Sequence, residues 1–125
     1  MTPLELARRF YELNNSVAEG NSNAAELEAL LAPDFVFTGP LMKVEGSAVF
    51  MGMLRQFLPF HESVIVRQQI VSGDIVCSIT QLKLKTPAGG SLTVDVSEWL
   101  KVEGHLIQSL TIFYDPRGFV QAFPM

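Results

Sequence analysis

Everything after Pro59 is patterned as β-sheet, and the turns within it leave one way to connect the strands. Four runs rich in β-branched residues, near 62–71, 74–85, 91–102 and 106–114, are separated by Ser72-Gly73-Asp74, Pro87-Ala88-Gly89-Gly90 and Glu103-Gly104-His105. Parallel neighbours need a crossover of roughly a dozen residues, so turns this short make an antiparallel meander.

The half before Pro59 reads as helix. Thr2-Pro3-Leu4-Glu5 is a capping box with proline at the first helical position, and Leu6, Phe10, Leu13 and Val17 follow on one stripe. Gly20 and Asn21-Ser22-Asn23 end this helix and offer a cap for a short second one, which holds Leu27, Leu30 and Leu31 and closes at Pro33. Residues 35–38 alternate as a brief strand that Gly39-Pro40 breaks, and a loop follows. Ser47 can cap a third helix with Val49, Phe50, Met53, Leu54, Phe57 and Leu58 on its apolar face. Helices first and a meander afterwards make an α+β chain, a single domain over residues 1–125 with its helices on one face of the sheet. The other face is left to solvent or to a second subunit.

The chain is apolar for its class: 48% of residues are hydrophobic, 18% are charged, and nine are Phe. That surplus calls for a lined cavity, a subunit interface or both. A net charge of −4 with scattered basic residues offers no footprint for nucleic acid or anionic lipid. The start lacks a basic segment followed by an apolar one, and no apolar run reaches the roughly 18 residues of a membrane span, so the expected location is the cytoplasm. Cys77 stands alone in an apolar run and reads as a small buried hydrophobe. His61 and His105 fall in turn sequences as loop residues; neither metal nor cofactor is expected.

Alternation in the third long run singles out one residue. Val94, Val96, Glu98, Leu100 and Val102 share a face, while Thr93, Asp95, Ser97, Trp99 and Lys101 share the other. The first set packs beneath the helices, so Glu98 points into the core or a pocket, where burial raises the pKa of a carboxyl group. Such a group is either a candidate acid or an internal anchor held by Arg8, Arg55, Arg67 or a tyrosine. Trp99, among polar neighbours on the opposite face, reads as an interface residue of a homodimer formed through the open sheet face.

Three stretches resemble the nuclear transport factor 2-like superfamily, in its SnoaL-like and ketosteroid isomerase-like branch. They are Ala7-Arg8-Arg9-Phe10-Tyr11-Glu12-Leu13, Leu30-Leu31-Ala32-Pro33-Asp34-Phe35-Val36-Phe37, and Trp99 to Ile107 with Ile112-Phe113-Tyr114-Asp115. The resemblance implies a cystatin-like roll, a cone-shaped curved antiparallel sheet with a mixed edge, wrapped on the N-terminal helices. It places Glu98 at the seat of the oxyanion-hole acid of ketosteroid isomerase. Phe10 occupies the tyrosine seat, with Tyr11 one position round the helix, and Thr38 or Gly39 occupies the seat of the proton-shuttling aspartate. Against limonene epoxide hydrolase, Ile112 replaces the aspartate of the last strand, and Ile79-Thr80-Gln81 replaces an Arg-x-Asp. Both catalytic sets are therefore incomplete.

The resulting expectation is a pocket for a small apolar molecule, lined by Phe10, Leu31, Phe35, Phe37, Phe50, Leu54, Phe57, Leu100, Leu110, Ile112 and Tyr114 around Glu98. An isomerase or polyketide-cyclase-like enzyme would use Glu98 as acid or base, with Tyr11, Tyr114 or His61 as a second group. A third arrangement is a dimerisation domain whose pocket is filled by its own aromatics.

Overall fold

A computed structural model describes residues 1–20 and 23–123. Helix α1 spans Pro3–Ala18, and its capping box is closed in both directions: Glu5 N–H donates to Thr2 Oγ1 at 3.2 Å and Thr2 N–H donates to Glu5 Oε1 at 3.0 Å. Leu6, Phe10 and Leu13 are buried as the stripe requires. Gly20, at φ +89°, takes the left-handed turn just past the helix. Helix α2 covers only Ala24–Glu28. Of the expected capping cluster, Asn21 and Ser22 lie outside the described residues, and Asn23 donates its amide to Ser16 Oγ at 2.6 Å instead of capping α2.

The next elements correct the sequence reading. Leu30 and Leu31 are not helical; strand β1 runs Leu31–Thr38 with Pro33 inside it. Proline cannot donate to a ladder, and it sits where the pairing of β1 shifts register, between Leu31 and Val36. The expected loop after Gly39-Pro40 contains a three-residue strand, β2 (Lys43–Glu45), paired antiparallel with β1. Helix α3 spans Ser47–Phe57, but its N-cap is Gly46 at φ +95°, and Ser47 is its first residue. Val49 is 60% exposed, so the apolar face is narrower than expected and turns on Phe50 and Met51.

Strands β3 (His61–Ser72), β4 (Ile75–Lys85), β5 (Ser91–Glu103) and β6 (Leu106–Phe113) form the antiparallel meander, and α4 (Arg117–Ala122) follows, a helix absent from the sequence reading. The sheet has the order β2-β1-β6-β5-β4-β3, with β1 and β6 parallel and all other pairs antiparallel. Register shifts at 61–63 and 66–68 interrupt the ladder of the edge strand β3 with β4. Asn15 seals that edge: its amide donates to Val64 O at 3.0 Å and accepts from Val64 N–H at 2.9 Å, standing in for a neighbouring strand.

The main core lies between the helices and the concave face, around Leu6, Leu13, Leu27, Phe35, Phe50, Leu100 and Ile107. The outer face carries exposed apolar side chains in cross-strand rows, Ile70–Cys77–Trp99 and Ile79–Ser97–Phe113. Trp99 is 45% exposed there, and Cys77 is only partly buried.

Candidate functional site

The pleat of β5 brings Val94, Val96 and Glu98 to the inner face, and the same parity on β4 brings Ser78, Thr80, Leu82 and Leu84 beside them. Over this floor, Phe10 and Tyr11 of α1 and Phe50, Leu54 and Phe57 of α3 leave a cavity of about 190 Å³. Phe37, Leu110, Ile112 and Tyr114 complete the wall on the β1–β6 side. Phe119 of α4 lies over its end, ring centroids 5.9 Å from Phe57 and 6.3 Å from Tyr114.

Glu98 is buried and accepts at Oε2 from the Thr80 hydroxyl at 2.6 Å. No arginine reaches it: Arg8 and Arg55 are exposed, and Arg67 donates to Gln81. With burial opposed only by Thr80 and Tyr11, its pKa is pushed up to about 7, so at neutral pH a large share of the molecules carry a neutral carboxylic acid. Tyr11 lies against Glu98 and Ser78, and burial next to that carboxyl raises the pKa of its phenol far above the usual tyrosine range. Its hydroxyl is buried yet makes no hydrogen bond of sound geometry. A phenol and a carboxylic acid thus converge on one end of an apolar cavity, two donors suited to one acceptor atom.

The expected lining residues divide into two groups. Phe10, Phe37, Phe50, Leu54, Phe57, Leu110, Ile112, Tyr11, Tyr114 and Glu98 border the cavity. Leu31, Phe35 and Leu100 do not; they are core residues. Phe35 is covered by the Phe50 ring at 4.9 Å, and Leu31 and Leu100 lie deeper in the cone, where the helices close on the sheet. Periodicity reports the face of a strand, not the depth along it.

His61 corrects the loop reading. It opens β3 opposite Leu84, lines the cavity, and has its Nε2 buried with no hydrogen-bond partner; burial lowers its pKa. His105 is exposed, in the turn between β5 and β6. The two seats left apolar by the family comparison are neighbours: a Cβ at Gly39 would lie 3.3 Å from Ile112 Cγ1. That wall holds no base. Among the described residues, no three His, Cys, Asp or Glu side chains gather as metal ligands, and no helix is long and apolar enough to cross a membrane.

Phe119 is one of the lining residues the sequence reading missed, with Asn14, Leu41, Met42, Val64, Leu82 and Leu84. Phe119 and Phe123 at helical spacing after Asp115-Pro116 were the available signal, and they stack at 4.8 Å.

The comparisons with known proteins agree with this fold. Residues 7–110 match the family model of the SnoaL-like domain. A nuclear transport factor 2-like protein of unknown function from Cytophaga hutchinsonii superposes with a TM-score of 0.80 at 25% identity, covering 95% of each chain. Another such protein of unknown function, from Burkholderia pseudomallei, gives 0.83 at 15% identity over 100% of this chain and 99% of that one. A protein of ketosteroid isomerase-like fold from Catenulispora acidiphila, in complex with trimethylamine, gives 0.77 at 17% identity over 98% and 93%. No curated protein matches the chain. The family match spans most of the sequence and the fold agrees with it: the chain belongs to the SnoaL-like domain family of the nuclear transport factor 2-like superfamily.

Proposed function

We propose that the cavity binds a small apolar molecule bearing an oxygen acceptor, held by the Tyr11 hydroxyl and the neutral Glu98 carboxyl. The convergence of these two groups at one end of a mostly apolar cavity is the observation that carries this reading. A cavity of about 190 Å³ between the aromatic rings counts against a pocket filled by the protein itself. It is smaller than the roughly 300 Å³ at which drug-sized sites begin, which favours ligands of two or three rings. Thermal denaturation against a panel of terpenoids, aromatic polyketides and steroids tests the reading. A ligand present at a hundredfold its Kd stabilises by about 2.7 kcal/mol, so a clear rise in Tm is expected for at least one class. No shift from any compound well above micromolar concentration would remove the reading's support.

A second reading, an isomerase or cyclase, is favoured by the same pair, since Glu98 accepts from a threonine and has a tyrosine beside it, with no structural arginine. Here Glu98 would give or take a proton at the ligand oxygen. With a substrate in hand, Glu98→Gln should then lower kcat about a hundred- to ten-thousandfold, and unchanged kcat would restrict the site to binding.

We also propose that the open sheet face pairs with a second copy of the chain. Its support is the exposed apolar stripe of Ile70, Trp99, Ile79 and Phe113 crossing four strands.

A further inference from the structure

Two buried side-chain polar atoms among the described residues lack a hydrogen bond of sound geometry, the Tyr11 hydroxyl, which has Glu98 and Ser78 beside it, and His61 Nε2, and both belong to residues that line the same cavity. An unpaired buried polar atom keeps its desolvation cost without the bond that would offset it, so two of them lining one cavity call for a partner that enters from the cavity. The other polar lining groups are accounted for. Asn14 donates its amide to Phe10 O at 2.8 Å, Glu98 accepts from Thr80, and Tyr114 is only half-buried.

The two unpaired atoms do not serve one ligand atom. Tyr11 belongs with Glu98 and Thr80, whereas His61 pairs with Leu84, four residues further along β4. At roughly 3.3 Å per residue, the two ends are about 13 Å apart along the strand. Leu82 and Val64, both apolar, lie between them.

Resting on the pocket reading above, we infer that the ligand is two-ended: an elongated apolar molecule with one oxygen for Tyr11 and Glu98 and a hydroxyl at its far end for His61. A hydroxyl fits because the half-buried imidazole is neutral, and its buried Nε2 is a donor in one tautomer and an acceptor in the other; a hydroxyl answers both. His61 is then a residue that selects for ligand length and for a second polar end.

Biphenyl, 4-hydroxybiphenyl and the symmetrical 4,4′-dihydroxybiphenyl form a matched series with no, one and two polar ends, and titration calorimetry compares them. The expected result is that the two-ended compound binds the wild-type protein about tenfold more tightly than the one-ended compound. His61→Leu should erase that advantage while leaving the one-ended compound unchanged, and His61→Gln, which keeps a hydrogen-bonding head, should restore part of it. Equal affinity of the one- and two-ended compounds for the wild type would overturn the inference without any variant, as would an advantage that survives in His61→Leu. If none of the three compounds bound, the pocket reading itself would fall, and this inference with it.

Discussion

The Thr80 hydroxyl donates to Glu98 Oε2 at 2.6 Å between adjacent strands, and among the described residues no cation pairs with that carboxyl. The neutral hydroxyls of Thr80 and Tyr11 do not offset the desolvation of a carboxylate, which is why Glu98 holds its proton up to about pH 7.

Stability should record this. In the unfolded chain Glu98 ionises near 4.5, in the folded one near 7, so the fold keeps its full stability below 4.5 and loses it as pH rises toward 7. The loss is on the order of 3 kcal/mol. Glu98→Gln has no such loss. In urea titrations at pH 4 and pH 8, the stability of Glu98→Gln relative to wild type should therefore rise by about that amount between the two. The depressed pKa of His61 acts in the opposite direction but is common to both proteins and cancels. A difference that does not change with pH would mean that Glu98 is not held neutral.

Tyr11→Phe should separate stability from binding. Removing a buried hydroxyl that lacks a sound hydrogen bond should leave the fold as stable or more stable, by up to about 1 kcal/mol. The same change should weaken binding of a ketone or phenol about fivefold or more and spare the parent hydrocarbon. A loss of more than about 2 kcal/mol in stability would instead assign the hydroxyl a structural bond.

The apolar rows of the outer face predict a self-associating protein. Sedimentation equilibrium at tens of micromolar should give a dimer, and Trp99→Arg, at an exposed position, should give a folded monomer with the cavity intact. A wild-type monomer at that concentration would rule out a stable dimer through Trp99.

What could be read before folding depended on how local its cause was. The α1 capping box needs only Thr2 and Glu5, and the meander needs only turns such as Ser72-Gly73-Asp74, so both were legible. Glu98 was legible because alternation along β5 is a property of one strand. The β1–β6 pairing was not, since it joins Phe37 to Leu110 across the whole meander, and three-residue β2 exists only by pairing with β1. His61 read as a loop residue because its place at the cavity comes from pairing with Leu84 and from a wall that it shares with Phe57 and with Phe119 of the unanticipated α4. Leu31, Phe35 and Leu100 lie on the correct face but too deep, a coordinate that only the assembled cone defines.

The most direct test is the carboxyl carbon of Glu98 followed by NMR through a pH titration, with and without 4-hydroxybiphenyl. The expected midpoint is about 7 in the free protein, higher in Thr80→Val because the Thr80 bond favours the ionised form, and higher again when a ligand oxygen accepts from the protonated acid. A midpoint near the ordinary 4.5, unmoved by ligand, would contradict a neutral acid at the polar end of this pocket.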